Sequence, residues 1–363
     1  MPQIKPEIET FARIKVVGVG GSGGSAITRM MEARVRGVDF IAVNSDAQAL
    51  HNNKATHKIH IGKNLTRGLG AGMDPEIGRQ AAEENRDELH EAVKGADMIF
   101  ITCGLGGGTG SGAAPIVAEV AKDSGALTVA VVTKPFGFEG SQRLRIAEEA
   151  WAKLRDKVDA LITIPNDRIL NVIQKDTSLV QAFSTCDDVL KHAVQGISDL
   201  IIMPGLINVD FADVRAVMQD AGSALMGIGI ASGETRAVDA AKAAVSSPLL
   251  DLSIDGAKGV LFNISGGQDM TMWEINEAAK AITESIDRDA KLIFGAVHDE
   301  RLKKGELKIT VIATGFNGLG KNGDAKRPPA FGATLAKSGP NAQTAKNEDE
   351  EWDSVPAFLR RKK

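Results

Sequence analysis

Two glycine-rich turns, each set between a strand-like run and a helix-like run, constrain this chain more than any other feature. The first, "GVGGSGGS", spans Gly18–Ser25 and follows the apolar run "RIKVVGV" (13–19). The second, "CGLGGGTGSG", spans Cys103–Gly112; "ADMIFIT" precedes it and "AAPIVAEVAK" follows it. Glycine permits positive φ and close approach to the backbone. Where a strand ends in such a turn and a helix begins, unpaired N–H groups and a dipole of about +0.5 charge face any anion. One such turn suits a dinucleotide, or is a tight bend with no ligand. Two turns on neighbouring strand ends suggest one large polyphosphate gripped from two sides.

Further apolar runs, "DFIAVN" (39–44), "ALTVAVVT" (126–133) and "DALITIP" (159–165), alternate with helical patterns such as residues 75–95. Continuous apolar strands separated by helices indicate an α/β fold, a parallel sheet flanked by helices in the Rossmann-like manner. Ligands on such sheets sit at the carboxyl ends of the strands, where both glycine turns fall. A long helical pattern follows, with Leu179, Phe183, Val189, Leu190, Val194 and Ile197 near helical spacing; Pro204 and Gly205 stop it. A second block reads "GSALMGIGIAS", "KGVLFNISGG", "KLIFGAVHD" and "ELKITVIATGF" as strands, with helices at about 234–247 and 271–286. The expected organisation is an N-terminal extension (1–12), a nucleotide-binding domain (13–177), a central helix (178–203) and a second, smaller α/β domain (204–316). A disordered linker (317–350), rich in Gly, Pro, Lys, Asn and Asp, then leads to a terminal peptide (351–363) that regains apolar groups.

A net charge of −4 gives no pull toward nucleic acid. The two cysteines and six histidines form no metal-ligand spacing, so no metal is assigned to side chains. The N-terminus lacks the apolar core of a signal peptide, and no run approaches the roughly 18 apolar residues of a membrane span. A cytoplasmic protein without direct membrane insertion is expected. The segment Gly18–Gly23 fits G-x-G-x-x-G and the second strand run is followed by an acid, Asp46, so an NAD-dependent dehydrogenase is an alternative. The second glycine turn and the lack of a hydride-transfer constellation count against it. No lysine follows the glycines of "GGGTGSG", which excludes a P-loop.

"GGGTGSG" (106–112) is the tubulin-type signature, and it stands in order with "GVGGSGGSA", "NSDAQAL", "TRGLGAG", "VVTKPFGFEG", "IPNDR", "VQGISDL" and "PGLINVDFADV". Over residues 13–316 the chain resembles the tubulin/FtsZ family, and within it the bacterial cell-division proteins. The tail "VPAFLRRK" resembles that family's C-terminal partner peptide. The resemblance implies a GTP-hydrolysing cytoskeletal protein that polymerises head to tail into a division ring at mid-cell. It implies GTP/GDP and a largely water-ligated Mg²⁺ as ligands. It implies the chain itself, and membrane-tethering division proteins bound through 351–363, as partners.

The same resemblance assigns residues. Gly21, Ser22, Gly23, Gly24 and Ser25 would line the first phosphate loop, and Gly108, Thr109 and Gly110 the second. Ala71 and Gly72 would sit near the γ-phosphate. Glu139 and Arg143 would contact the ribose side, Asn166 and Asp187 the nucleoside, and Phe183 would stack on the base. Ser22, Ser25 and Ser45 depart from the commonest family residues at their positions. From the residues alone, Phe183 could equally be core, Glu139–Arg143 a surface pair and Asp187 part of a solvated face. A bulky residue at Gly108 is expected to fill phosphate space.

A GTPase must also orient a water against the γ-phosphate. Asn208, Asp210 and Asp213 in "NVDFADV" are the candidates, the two carboxylates sharing a face on the first turn of a helix. Helix capping accounts for the same pattern. The loop follows the long helix, so it is expected at the end away from the glycine turns, where it could reach only a neighbouring subunit's nucleotide. The family completes each active site in that way, by stacking head to tail.

Overall fold

The computed structural model describes residues 12–316, apart from 172, 175, 204, 208, 248–253, 255, 288 and 300. The chain begins β1 (Ile14–Val19), α1 (Gly20–Glu32), β2 (Val38–Asn44), α2 (Ala47–His51), β3 (His57–His60) and α3 (Lys63–Thr66). It continues α4 (Pro75–Glu84), α5 (Arg86–Val93), β4 (Met98–Gly104), α6 (Gly108–Asp123), β5 (Leu127–Lys134), α7 (Ser141–Arg155), β6 (Ala160–Pro165) and α8 (Asn166–Ile169). The long helix α9 (Leu179–Ile202) and α10 (Phe211–Met218) follow. The last described elements are β7 (Gly222–Ser232), α11 (Arg236–Val245), β8 (Gly259–Gly266), α12 (Met272–Thr283), β9 (Lys291–His298) and β10 (Glu306–Thr314).

The strands form one sheet in the order β3-β2-β1-β4-β5-β6-β7-β10-β8-β9. Pairing is parallel from β3 to β7, so the carboxyl ends of β1 and β4 lie side by side. β10 runs antiparallel to both of its neighbours, and β8 pairs with β9 in parallel.

The continuous apolar runs are explained by burial on both faces. In β1, Ile14 and Val16 enter one core cluster while Val17 and Val19 enter another. In β4, Met98 and Phe100 face the first cluster, Ile99 and Ile101 the second. Each fully buried side chain of this size contributes about 1.5–3 kcal/mol. α6 covers one face through Ala113, Val117 and Ala121. α9 covers the other: Val189, Leu190, Val194 and Ile197 share a cluster with Phe100 and Val129 of the parallel half and with Met226, Leu261 and Ile312 beyond it. A third cluster seats α11 and α12 on the opposite face of β8 and β10.

Two elements differ from the sequence expectation. Residues 75–95 make two helices, not one, because Asn85 leaves helical geometry (φ −113°, ψ 24°). Its Oδ1 accepts from the Gly62 N–H and its Nδ2 donates to Glu88, so the side chain rewards the break. β3 had no sequence signal: of "HKIH" only Ile59 is fully buried. Residues 1–11, the linker 317–350 and the terminal peptide 351–363 lie outside the described residues.

Candidate functional site

α1 and α6 both start in a glycine turn, on adjacent strands. A cavity of about 340 Å³ opens there, with Gly21, Ser22, Gly104 and Gly107–Gly110 on one side. Glu139, Arg143, Asn166, Phe183 and Asp187 complete its wall. The residues before the two helices, Val19 and Gly107, make no side-chain cap, and neither first turn carries an acid. Both sets of leading N–H groups are therefore open to an anion.

The glycines divide into two kinds. A Cβ at Gly23 would lie 2.4 Å from the Thr102 carbonyl oxygen, so this glycine lets α1 pack on β4. A Cβ at Gly108 would lie 2.8 Å from the Ala71 Cβ and 2.9 Å from the Asp74 backbone nitrogen and oxygen. The expectation that bulk at Gly108 fills phosphate space is corrected: it would displace the 71–74 loop instead. At Gly21 and Gly107 an added Cβ meets nothing within 4 Å; these are the positions open to the cavity.

The side chains around the cavity are held by specific partners. The Thr109 and Ser45 hydroxyls are 2.7 Å apart. Arg143 Nη1 donates to Glu139 Oε2 at 2.6 Å, while Glu139 Oε1 accepts from the Phe136 N–H at 2.9 Å. Phe136 meets Phe183 edge-on, with centroids 5.5 Å apart and planes at 85°. Phe183 is itself 40% exposed, leaving ring surface open for stacking. Asn166 is buried, yet its Oδ1 has no hydrogen-bond partner. A buried acceptor without a donor is costly, and a ligand N–H in the cavity would satisfy it. Asp187 is paired with Arg29 at 2.8 Å. Burial pushes its carboxyl above the ordinary 3.8, and the Arg29 guanidinium partly offsets this. Burial pushes the neighbouring Cys186 thiol up to about 12, so it lines the pocket as an uncharged group.

Other candidates lie apart. Gly24 and Ser25 border an adjoining groove of about 450 Å³ between α1, β2 and α2, which meets the cavity at Gly21. Ala71 is buried against Gly108, and Gly72 adopts φ +57° beside it. Asn208 lies outside the described residues. Asp210 caps α10: its Oδ1 accepts from the Asp213 N–H at 2.7 Å. Both carboxylates are exposed. α9 rises about 22 Å from Asp187 to Ile202, which leads toward them, so they are remote from this cavity. Sequence reasoning counted the Gly107 amide among those the second turn exposes but missed Gly104, although it stands in the same quoted turn. It also missed Arg29, which carried no signal because its partner is 158 residues away.

Among the described residues no group of three or more His, Cys, Asp or Glu could hold a metal ion. None of their helices is long and apolar enough to cross a membrane.

This arrangement defines a class: an α/β nucleotide-binding protein whose pocket lies between two glycine turns and the head of a long helix. The Tubulin/FtsZ family, GTPase domain, matches residues 13–174, and the FtsZ family, C-terminal domain, matches residues 222–317. The empty FtsZ dimer of M. jannaschii is 47% identical, with a TM-score of 0.81 over 85% of this chain and 89% of that one. A point mutant of the same FtsZ is 46% identical, with a TM-score of 0.82 over 85% and 92%. The GTPγS-bound CetZ2 protofilament from Haloferax volcanii shares the fold at 22% identity and a TM-score of 0.71, over 83% and 92%. The chain belongs to the tubulin/FtsZ family. It is a GTPase, a GTP-binding, polymerising cytoskeletal protein, and the dehydrogenase alternative falls away. These two solved FtsZ relatives come from M. jannaschii; they establish the family and not a bacterial source.

Proposed function

We propose that the chain polymerises head to tail into a cell-division filament at mid-cell, each subunit completing the GTPase site of the next. The observation that carries this reading is the separation of parts. The phosphate-binding turns lie at the head of α9, and the acidic 208–213 loop follows its tail. The cavity's own carboxylates, Glu139 and Asp187, are paired with Arg143 and Arg29, which leaves the orienting of water to Asp210 and Asp213 of a neighbour. Stacking two copies brings them together, and such a heterologous contact propagates into an open filament.

Exposed apolar side chains support the same direction. Leu69, Phe138, Leu179 and Val180 are exposed on segments around the nucleotide cavity. Leu206, Ile230, Met272 and Trp273 are exposed on a second group of segments. These belong together: Leu206 N–H bonds the Ala296 carbonyl, His298 pairs with Gly266 just before α12, and Ile230 pairs with Lys308. The M. jannaschii relative was solved as a dimer.

In this reading the open N–H groups of α1 and α6 hold the phosphates, with Thr109 among them. Asn166 and Asp187 recognise the base, Phe183 stacks on it, and Glu139 and Arg143 face the ribose. Gly23 and Ala71 shape the loops, while Gly24, Ser25 and Gly72 flank them. A Mg²⁺ would be held by phosphate oxygens and water. The sequence 351–363 carries Val355, Phe358 and Leu359 beside a basic end, chemistry suited to a membrane-tethering partner in the cytoplasm.

Asp213→Ala tests the split site. The variant should bind GTP with native affinity, because its own cavity is unchanged. Its filaments should form and then persist, read by light scattering alongside phosphate release. Hydrolysis at the native rate would remove this carboxylate from the mechanism.

A further inference from the structure

The first glycine turn is interrupted by Ser22, and the structure gives that residue a particular partner. Its Oγ accepts a hydrogen bond from the Gly104 N–H at 2.7 Å. Gly104 ends β4 and Ser22 lies in the first turn of α1, so this bond ties one glycine turn to the strand that enters the other. Both residues line the nucleotide cavity. The direction of the bond matters. An amide can only donate, so the hydroxyl oxygen accepts and its own proton is left over. No acceptor for that proton is found among the described residues. A hydroxyl whose oxygen already accepts is polarised into a better donor. This one sits at a helix start that carries no acidic residue, where negative charge is favoured.

We propose that Ser22 is a phosphate-binding donor that extends the Gly104 amide into the cavity while fastening the two turns together before nucleotide arrives. The inference rests on the GTP reading above and adds a role for one side chain within it. It orders three substitutions. Ser22→Thr keeps the hydroxyl. Ser22→Gly loses it but leaves the Gly104 N–H facing the cavity, so a shorter donor replaces a longer one. Ser22→Ala is the worst case, because a methyl stands before the amide and nothing donates.

The test is displacement of a fluorescent guanine nucleotide from the full chain by GTP, GDP and guanosine. Ser22→Ala should weaken GTP and GDP by about tenfold, the scale of one hydrogen bond to a charged group, and leave guanosine unchanged. Ser22→Gly should weaken both by about two- to threefold, and Ser22→Thr should match the native chain. Melting without nucleotide reports whether each variant is folded; should the alanine variant not fold, the glycine variant carries the test. An alanine or glycine variant that binds GTP as tightly as the native chain overturns the proposal. So does an equal loss for guanosine, which would make Ser22 a general scaffold residue. A native chain that binds no GTP would instead overturn the reading beneath it.

Discussion

At the scale of single residues, the site separates positions that touch the ligand space from positions that shape it. Gly107 has ordinary extended geometry (φ −96°, ψ 172°) and open space before its missing Cβ, whereas Gly108 is pressed against Ala71 and Asp74. Gly107→Leu should therefore melt near the native temperature yet lose GTP binding. Gly108→Ala should lower the melting temperature, because the 71–74 loop must move. Thermal melts with and without GTP distinguish the two. Asp187 gives a pH test. Its folded pKa lies above 3.8, so its contribution to stability is complete below that value and is lost as pH rises through the folded one. Arg29→Met removes the opposing charge and leaves burial and Asp188, which both raise it further. If the ionised carboxylate reads the base, GTP affinity of the variant should begin to fall on acidification at a higher pH than the native protein's. Identical pH profiles would contradict that role. The signature residues were legible because glycine-rich turns are local in sequence. The Arg29–Asp187 and Ser22–Gly104 pairs were not, because only folding brings such distant residues together.

At the scale of elements, α10 shows how one side chain can satisfy two explanations. Asp210 caps the helix through the Asp213 N–H, the capping role that the sequence left open beside catalysis. The two roles need different atoms: a cap needs an oxygen, while polarising water is helped by a charge. Asp210→Asn should retain stability within a few tenths of a kcal/mol, since asparagine caps as well, whereas Asp210→Ala should cost about 1 kcal/mol. If hydrolysis falls equally in both while only alanine lowers the urea midpoint, the charge matters apart from the cap. Full hydrolysis in Asp210→Asn would leave Asp210 as a cap alone. The strands were legible because two-sided burial writes them as continuous apolar runs. β3 and the break at Asn85 were not, since one rests on a single buried isoleucine and the other on side-chain bonds to Gly62 and Glu88. The continuity of the sheet was also hidden: β6 and β7 join through only three residue pairs, Ala160–Gly222 to Ile162–Ala224.

At the scale of the whole molecule, the exposed apolar residues make a separable prediction. Trp273 is 71% exposed at the start of α12, and Lys280 lies over its ring. Trp273→Glu should raise the critical concentration for assembly, read by sedimentation, without changing GTP affinity of the monomer. An unchanged critical concentration would remove this patch from the contact. Strand order carries one more consequence, and it concerns time. β10 is the last of the described strands, yet it lies between β7 and β8. The parallel half can assemble β1 to β6 once residue 165 has left the ribosome. The other half must wait until Thr314 is made, and until then β7 and β8 each present an open edge to whatever other chain is near. A stalled or truncated chain thus carries its hazard in one half of its sheet while the other half is already paired.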